Sequence, residues 1–218
     1  MSGIDVSVGT KYRERALARN LGTVALVAIA WFLASAVAVQ VLRDDLDWIR
    51  VPLSFYLIGP YGPWLQCAYV ALAIAIAVMA TGYYRVIAAG PGRQGVLLLF
   101  FLGSVALAIT AQAETDLGGG RELTAGAIVH AIAAPLAFLF TTLGMLWQSW
   151  RFRTDPHWSG RFAVAFGLAL FCFAALWVLA LWRELPRGLS QKLVVMAILA
   201  WLALAAGWLR QSPPMNQD

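Results

Sequence analysis

Six long runs of this chain contain no Asp, Glu, Lys or Arg: residues 21–42, 51–84, 94–113, 123–150, 162–182 and 193–209. A helix crossing a hydrocarbon core of about 30 Å needs roughly 20 apolar residues, with about 17–25 tolerated. Five of the runs meet that length and the last sits at its lower limit. Only 12% of the side chains are charged and 61% are hydrophobic, where soluble domains carry about 25% charged residues. The chain is built for a bilayer.

The second run is too long for one straight helix, and it holds Pro52, Gly59, Pro60, Gly62 and Pro63. Prolines and glycines so close together cannot all lie inside a helix. Residues 51–62 are therefore expected to form an irregular or re-entrant segment, with the second helix starting near Pro63, where proline suits a first turn. Strands are not expected, because no run alternates apolar and polar residues as barrel strands do. The resulting fold class is all-α: a polytopic bundle of six transmembrane helices in one domain, residues 21–210. A basic tail, 1–20, precedes it and a short tail, 211–218, follows. Short connections make neighbouring helices antiparallel.

Six spans place both ends of the chain on one side. With the N-terminus inside, ten Lys and Arg fall on the inner side (Lys11, Arg13, Arg15 and Arg19 among them) and six on the outer. That bias favours cytoplasmic termini and a multi-pass protein of the cell membrane. It also accounts for the net charge of +5 without a nucleic-acid partner. The first apolar run continues to Leu42, longer than a cleavable signal's core, so a retained anchor helix is expected. Cys67 and Cys172 read as small core residues rather than a disulfide or metal pair.

The spans exclude several functions. Ion-coupled transporters and voltage sensors place ionisable groups in mid-membrane, and none is found there. A retinal Schiff base would need a mid-helix lysine, yet the nearest candidate, Lys192, lies at a span end. Bis-histidine haem has only His130 and His157 to draw on. No cofactor is identifiable. Asp44, Asp45 and Asp47 read as solvated loop acids, so no metal site is expected. Gly118–Gly120 reads as a turn, the tryptophans near span ends as interfacial belts, and His157 as a surface residue.

Polar groups gather on the outer side: Arg50, Ser54 and Tyr56 in the first loop, Glu114, Asp116 and Arg121 in the second, Arg187, Ser190, Gln191 and Lys192 in the third. His130 shares a helical face with Gly126, Ala133, Ala137, Thr141 and Gly144. Small residues at this spacing mark close helix contact, so the imidazole should face the bundle and find a partner there. Asp116, Glu114, Gln112 or the Ser54–Tyr56 segment could supply it. One reading makes Asp116–His130 a polar clasp between helices. The other makes it a site in which His130 is general acid or base, Asp116 orients it, and Ser54 or a water is the nucleophile.

Pro52-Leu53-Ser54-Phe55-Tyr56-Leu57, then Gly59-Pro60-Tyr61-Gly62-Pro63-Trp64-Leu65, together with Glu114-Thr115-Asp116, His130 and Gly188-Leu189-Ser190-Gln191-Lys192, resemble a bacterial and archaeal family of six-helix integral membrane proteins, domain-of-unknown-function family 998. The order and spacing agree from about residue 20 to residue 210. Two details depart from the family: Glu114-Thr115 stands where Phe-Pro is common, and Lys192 where arginine is expected. The resemblance implies the six-helix fold and no particular activity.

Three functions follow as expectations. The first is binding, and with His130, Asp116 and Ser54 in catalytic roles processing, of a lipid- or isoprenoid-like ligand at outer-leaflet depth. Tyr56, Arg187 and Gln191 would hold the ligand, the arginine taking an anionic head group. The second is a non-catalytic accessory or assembly subunit with a membrane-protein partner. The third is a facilitator of neutral solutes.

Overall fold

A computed structural model describes residues 3–113 and 124–211, the side chains of residues 3–12 apart. The described residues form six α-helices and no strand: α1 Gly3–Leu42, α2 Gly62–Val86, α3 Arg93–Gln112, α4 Ala125–Phe152, α5 Phe162–Leu181 and α6 Arg187–Arg210. All six are long and apolar enough to cross a membrane. Each packs against its neighbours in sequence, α6 closes the ring onto α1, and α2 also touches α6 across the middle.

Two helices are longer than the uncharged runs suggest. The first continues back through the basic tail to Gly3, 40 residues in all; from Lys11 to Arg19, Lys, Arg and Glu sustain a helix as well as apolar residues do. At 1.5 Å per residue it is about 60 Å long, twice the hydrocarbon thickness. Gly22 lies where α1 meets α6: a Cβ there would stand 2.7 Å from the Ala206 carbonyl oxygen. Similarly, α6 begins at Arg187, six residues before its apolar run.

Between α1 and α2 lies no helix but a single 3-10 turn, Leu53–Leu57, whose Leu53, Ser54, Tyr56 and Leu57 are buried. The second helix starts at Gly62, with proline in its first turn. Tyr61 before it is left-handed, at φ 65°, a conformation uncommon outside glycine. The turn comes so close that a Cβ at Gly62 would sit 2.3 Å from the Leu57 carbonyl oxygen.

This segment is bound to the start of α6, 130 residues further on. The Gly188 and Leu189 N–H groups donate to the Arg50 and Ile49 carbonyls, at 3.1 and 2.8 Å. Gln191 Oε1 accepts from the Leu53 N–H at 2.8 Å. Lys192 Nζ donates to the Trp48 and Val51 carbonyls and lies 5.3 Å from the Tyr56 ring centre. Arg43 holds the rim, donating to the Ile58 carbonyl at 2.7 Å and pairing with Asp45 through two nitrogens. The loop and the first turn of α6 make one plug over this end of the bundle.

The opposite end is fastened by backbone carbonyls and aromatic rings. Arg151 donates to the carbonyls of Ala88, Gly90 and Pro91 in the α2–α3 loop. Asp155, buried, accepts from the Ala88 and His157 N–H groups. Phe152 and Trp158 stack, Tyr83 packs edge-on against Trp158 and tilted against Phe152, and the Tyr83 hydroxyl donates to the Ala205 carbonyl at 2.7 Å.

Candidate functional site

Beneath the plug, the helices do not fill the space between them. A cavity of about 70 Å³ is bounded by Phe32 of α1, Ser54 of the 3-10 turn, and residues of α2, α3, α4 and α6; α5 contributes nothing. Its wall is mostly apolar: Leu72, Ile76, Leu107, Phe138 and Leu202 supply much of it. The close crossing of α3 and α4 forms one side. A Cβ at Gly103 would stand 2.6 Å from Thr141 Oγ1, and one at Gly144 would stand 3.1 Å from the Phe100 ring.

Four polar side chains interrupt that wall without being satisfied by the protein. The hydroxyls of Ser54, Tyr69 and Thr141 have no hydrogen-bond partner among the described residues, and neither does Gln191 Nε2, whose own Oε1 is engaged by Leu53. Thr110, also in the lining, returns its hydroxyl to the Ala106 carbonyl at 2.8 Å. Ser54, Tyr69 and Thr141 are all buried. These hydroxyl oxygens keep accessible surface, and three of them around one mostly apolar space can donate to or accept from an occupant. Among the described residues, no carboxylate, lysine or arginine lines the cavity.

The described residues expected to form a site divide among four places. Ser54 and Gln191 meet at the cavity's plug end. Tyr56, fully buried, instead forms the core of the plug: its hydroxyl reaches the Leu46 carbonyl at 3.5 Å, and burial raises its pKa, with the Arg43 charge opposing part of the rise. Arg187 is exposed, and its guanidinium donates to the Leu179 carbonyl near the end of α5, away from the cavity lining.

His130 is 7% exposed and shares its buried face with Ala133, Ala137 and Thr141. Its Nδ1 lies 2.9 Å from the carbonyl oxygen of Ala113, which caps α3. With Nδ1 donating to that carbonyl, Nε2 is left as the acceptor. Helix termini leave carbonyls without intrahelical donors, and here a neighbouring helix supplies one. His130 sits one turn from Ala134 at the cavity's edge but is not among the lining residues. Asp116, Glu114 and Arg121 lie outside the described residues.

Sequence reasoning did not single out Tyr69, and it took Thr141 only as a small residue of the His130 face. A tyrosine or threonine inside an apolar run carries no signal that separates a cavity wall from a helix contact. The first-loop acids have ordinary roles: Asp45 pairs with Arg43, which lowers its pKa, and Asp47 accepts from the Ile49 N–H at 2.9 Å.

A family model described as a protein of unknown function, DUF998, matches residues 26–208. No curated protein and no solved structure matches the chain.

Proposed function

We propose, for a chain that belongs to the DUF998 family of proteins of unknown function, that this membrane bundle binds a neutral amphipathic ligand of the lipid or isoprenoid-alcohol kind. The observation that carries the reading is the group of partnerless Ser54, Tyr69 and Thr141 hydroxyls around an otherwise apolar cavity. Binding sites of this type are mostly apolar, with a few placed polar groups that orient the ligand. The cavity, about 70 Å³, receives the ligand's hydroxyl and adjoining carbons, and the rest of the chain follows the apolar helix surfaces. In this reading a neutral head takes the place of the anionic one expected with Arg187, because Arg187 is not among the cavity's lining residues. His130 supports the wall through its Ala113 bond and is given no catalytic step. In the same reading, the plug end faces the outer leaflet and the end rich in arginine faces the cytoplasm.

The test is binding of hexahydrofarnesol and of the matching hydrocarbon, farnesane, to the purified protein, followed by thermal unfolding. Hexahydrofarnesol should stabilise at concentrations about fivefold or more lower than farnesane, since one hydrogen bond of roughly 1 kcal/mol is worth about a factor of five. Tyr69→Phe and Thr141→Val should each narrow that difference. Equal response to both compounds, or to neither, refutes the reading.

A second reading, an assembly subunit for another membrane protein, draws on α5. Only Ala165, Ala169 and Cys172 of that helix are buried, while Phe171, Trp177 and Leu181 face outward. Cross-linking from α5 in native membranes, yielding a defined heteromeric adduct, would favour it.

A further inference from the structure

At the end opposite the plug, a second and much smaller cavity of about 10 Å³ lies between α2, α3 and α4, lined by Tyr83, Tyr84, Arg93, Gln148 and Arg151 among others. It has room for one small sphere. Two guanidinium groups line it, and among the described residues no carboxylate does.

The hydrogen-bond inventory around it is lopsided. Arg151 spends both terminal nitrogens on loop carbonyls, at 2.5 Å to Pro91 and 2.7 Å to Ala88. Its Nε–H is buried and has no partner. Gln148 lies three residues earlier on α4, hence on the same helix face. It is 3% exposed, its Nε2 is buried without a partner, and no described group bonds its Oε1. Turning the amide would present its NH₂ to the cavity at no loss of an existing bond. Arg93 donates Nε and Nη2 to the Tyr84 carbonyl and covers the Tyr84 ring at 4.0 Å. Asp155 offsets some of the positive charge nearby, but both of its oxygens accept backbone N–H groups, and it is not in the lining.

Guanidinium groups donate and never accept. A buried space walled by two of them, with a free Nε–H and an uncommitted amide, suits an occupant that is small, negative and accepts hydrogen bonds. Charge-assisted bonds of this sort are about twice as strong as neutral ones. We propose that the α2–α3–α4 cavity at Gln148 and Arg151 is a halide site, taking chloride as a structural anion that holds the α2–α3 loop to α4. A polyatomic anion such as a lipid phosphate is too large for it.

The test follows thermal unfolding of the full chain in detergent, in sodium chloride, bromide and gluconate at equal ionic strength. Chloride and bromide should raise the midpoint saturably and gluconate should not, and Gln148→Leu should raise the half-saturating halide concentration by about tenfold or more. Crystals grown in bromide should show an anomalous peak within hydrogen-bond reach of Arg151 Nε. Should Gln148→Leu fail to fold, the salt comparison and the bromide peak still decide. Equal midpoints in all three salts, a halide response unchanged in Gln148→Leu, or a cavity without an anomalous peak overturns the proposal and leaves water as the occupant.

Discussion

Gln191 Oε1 accepts the backbone N–H of Leu53 at 2.8 Å, joining two positions 138 residues apart. The same side chain turns its other end to the cavity, so one residue both fastens the plug and forms part of the space beneath it. Replacing it with leucine would strand a buried N–H, a loss of roughly 1–3 kcal/mol. Gln191→Leu should therefore lower the unfolding midpoint measurably in detergent. Gln191→Glu keeps the acceptor and should retain most of the stability at neutral pH. Indistinguishable midpoints for wild type and Gln191→Leu would contradict this role.

Gly188 is the second fastening. A Cβ there would lie 2.5 Å from the Val51 carbonyl oxygen and 2.7 Å from its nitrogen, both backbone atoms that cannot swing aside. Gly188→Ala should destabilise by about 1–3 kcal/mol, the usual range for overpacking. Gly207 makes the control, since nothing lies within 4 Å of its Cβ position. Gly207→Ala, inside α6, should stabilise by up to about 1 kcal/mol through helix propensity. Urea or thermal unfolding of the pair separates the cases by sign.

At the other end, Tyr83→Phe removes only the hydroxyl that donates to the Ala205 carbonyl. Side-chain hydrogen bonds between membrane helices average about 0.6 kcal/mol and reach about 1.7 kcal/mol. The expected loss falls in that interval, with the ring packing against Phe152 and Trp158 intact. A larger loss would mean that the ring packing had changed too, which near-ultraviolet circular dichroism would register.

His157 gives the fold a pH dependence. Burial lowers its pKa below 6.5, and the Arg161 and Arg15 charges lower it further, with Asp155 opposing. A histidine depressed in the folded state favours folding while neutral. Its contribution is therefore complete above the unfolded value of about 6.5 and is lost as pH falls through the folded pKa. The midpoint should drop on acidification below about pH 6.5, and His157→Gln should flatten that drop. A wild-type profile no steeper than the variant's would exclude His157 as its source.

The span count was legible because an uncharged run of about 20 residues has few other uses. Proline and glycine marked the break before α2 for the same local reason. What hydropathy could not give was where a helix ends once it leaves the hydrocarbon: α1 continues through basic residues to Gly3, and α6 starts with Arg187 inside the plug. The resemblance segments lie far apart in sequence, yet 52–65 and 188–192 form a single structural unit. His130 could be placed on an inward face by its small neighbours. Its partner could not, because the Ala113 carbonyl is backbone and has no signature in residue identity. Gln148 and Arg151 were passed over for a related cause, since the Arg151 bonds go to backbone carbonyls and the Gln148 Nε2 and Arg151 Nε atoms have no partner among the described residues.

One consequence of α1 concerns geometry rather than chemistry. A rod twice as long as the membrane is deep has roughly half its length to spare, and its basic stretch is continuous with the turns that carry Phe32 to the cavity wall. Gly22, the glycine between Arg19 and Phe32, is wedged against Ala206 and Arg210 and cannot serve as a joint. The close packing at Gly22 thus leaves the basic turns and the turn carrying Phe32 on one helix without a hinge at that glycine.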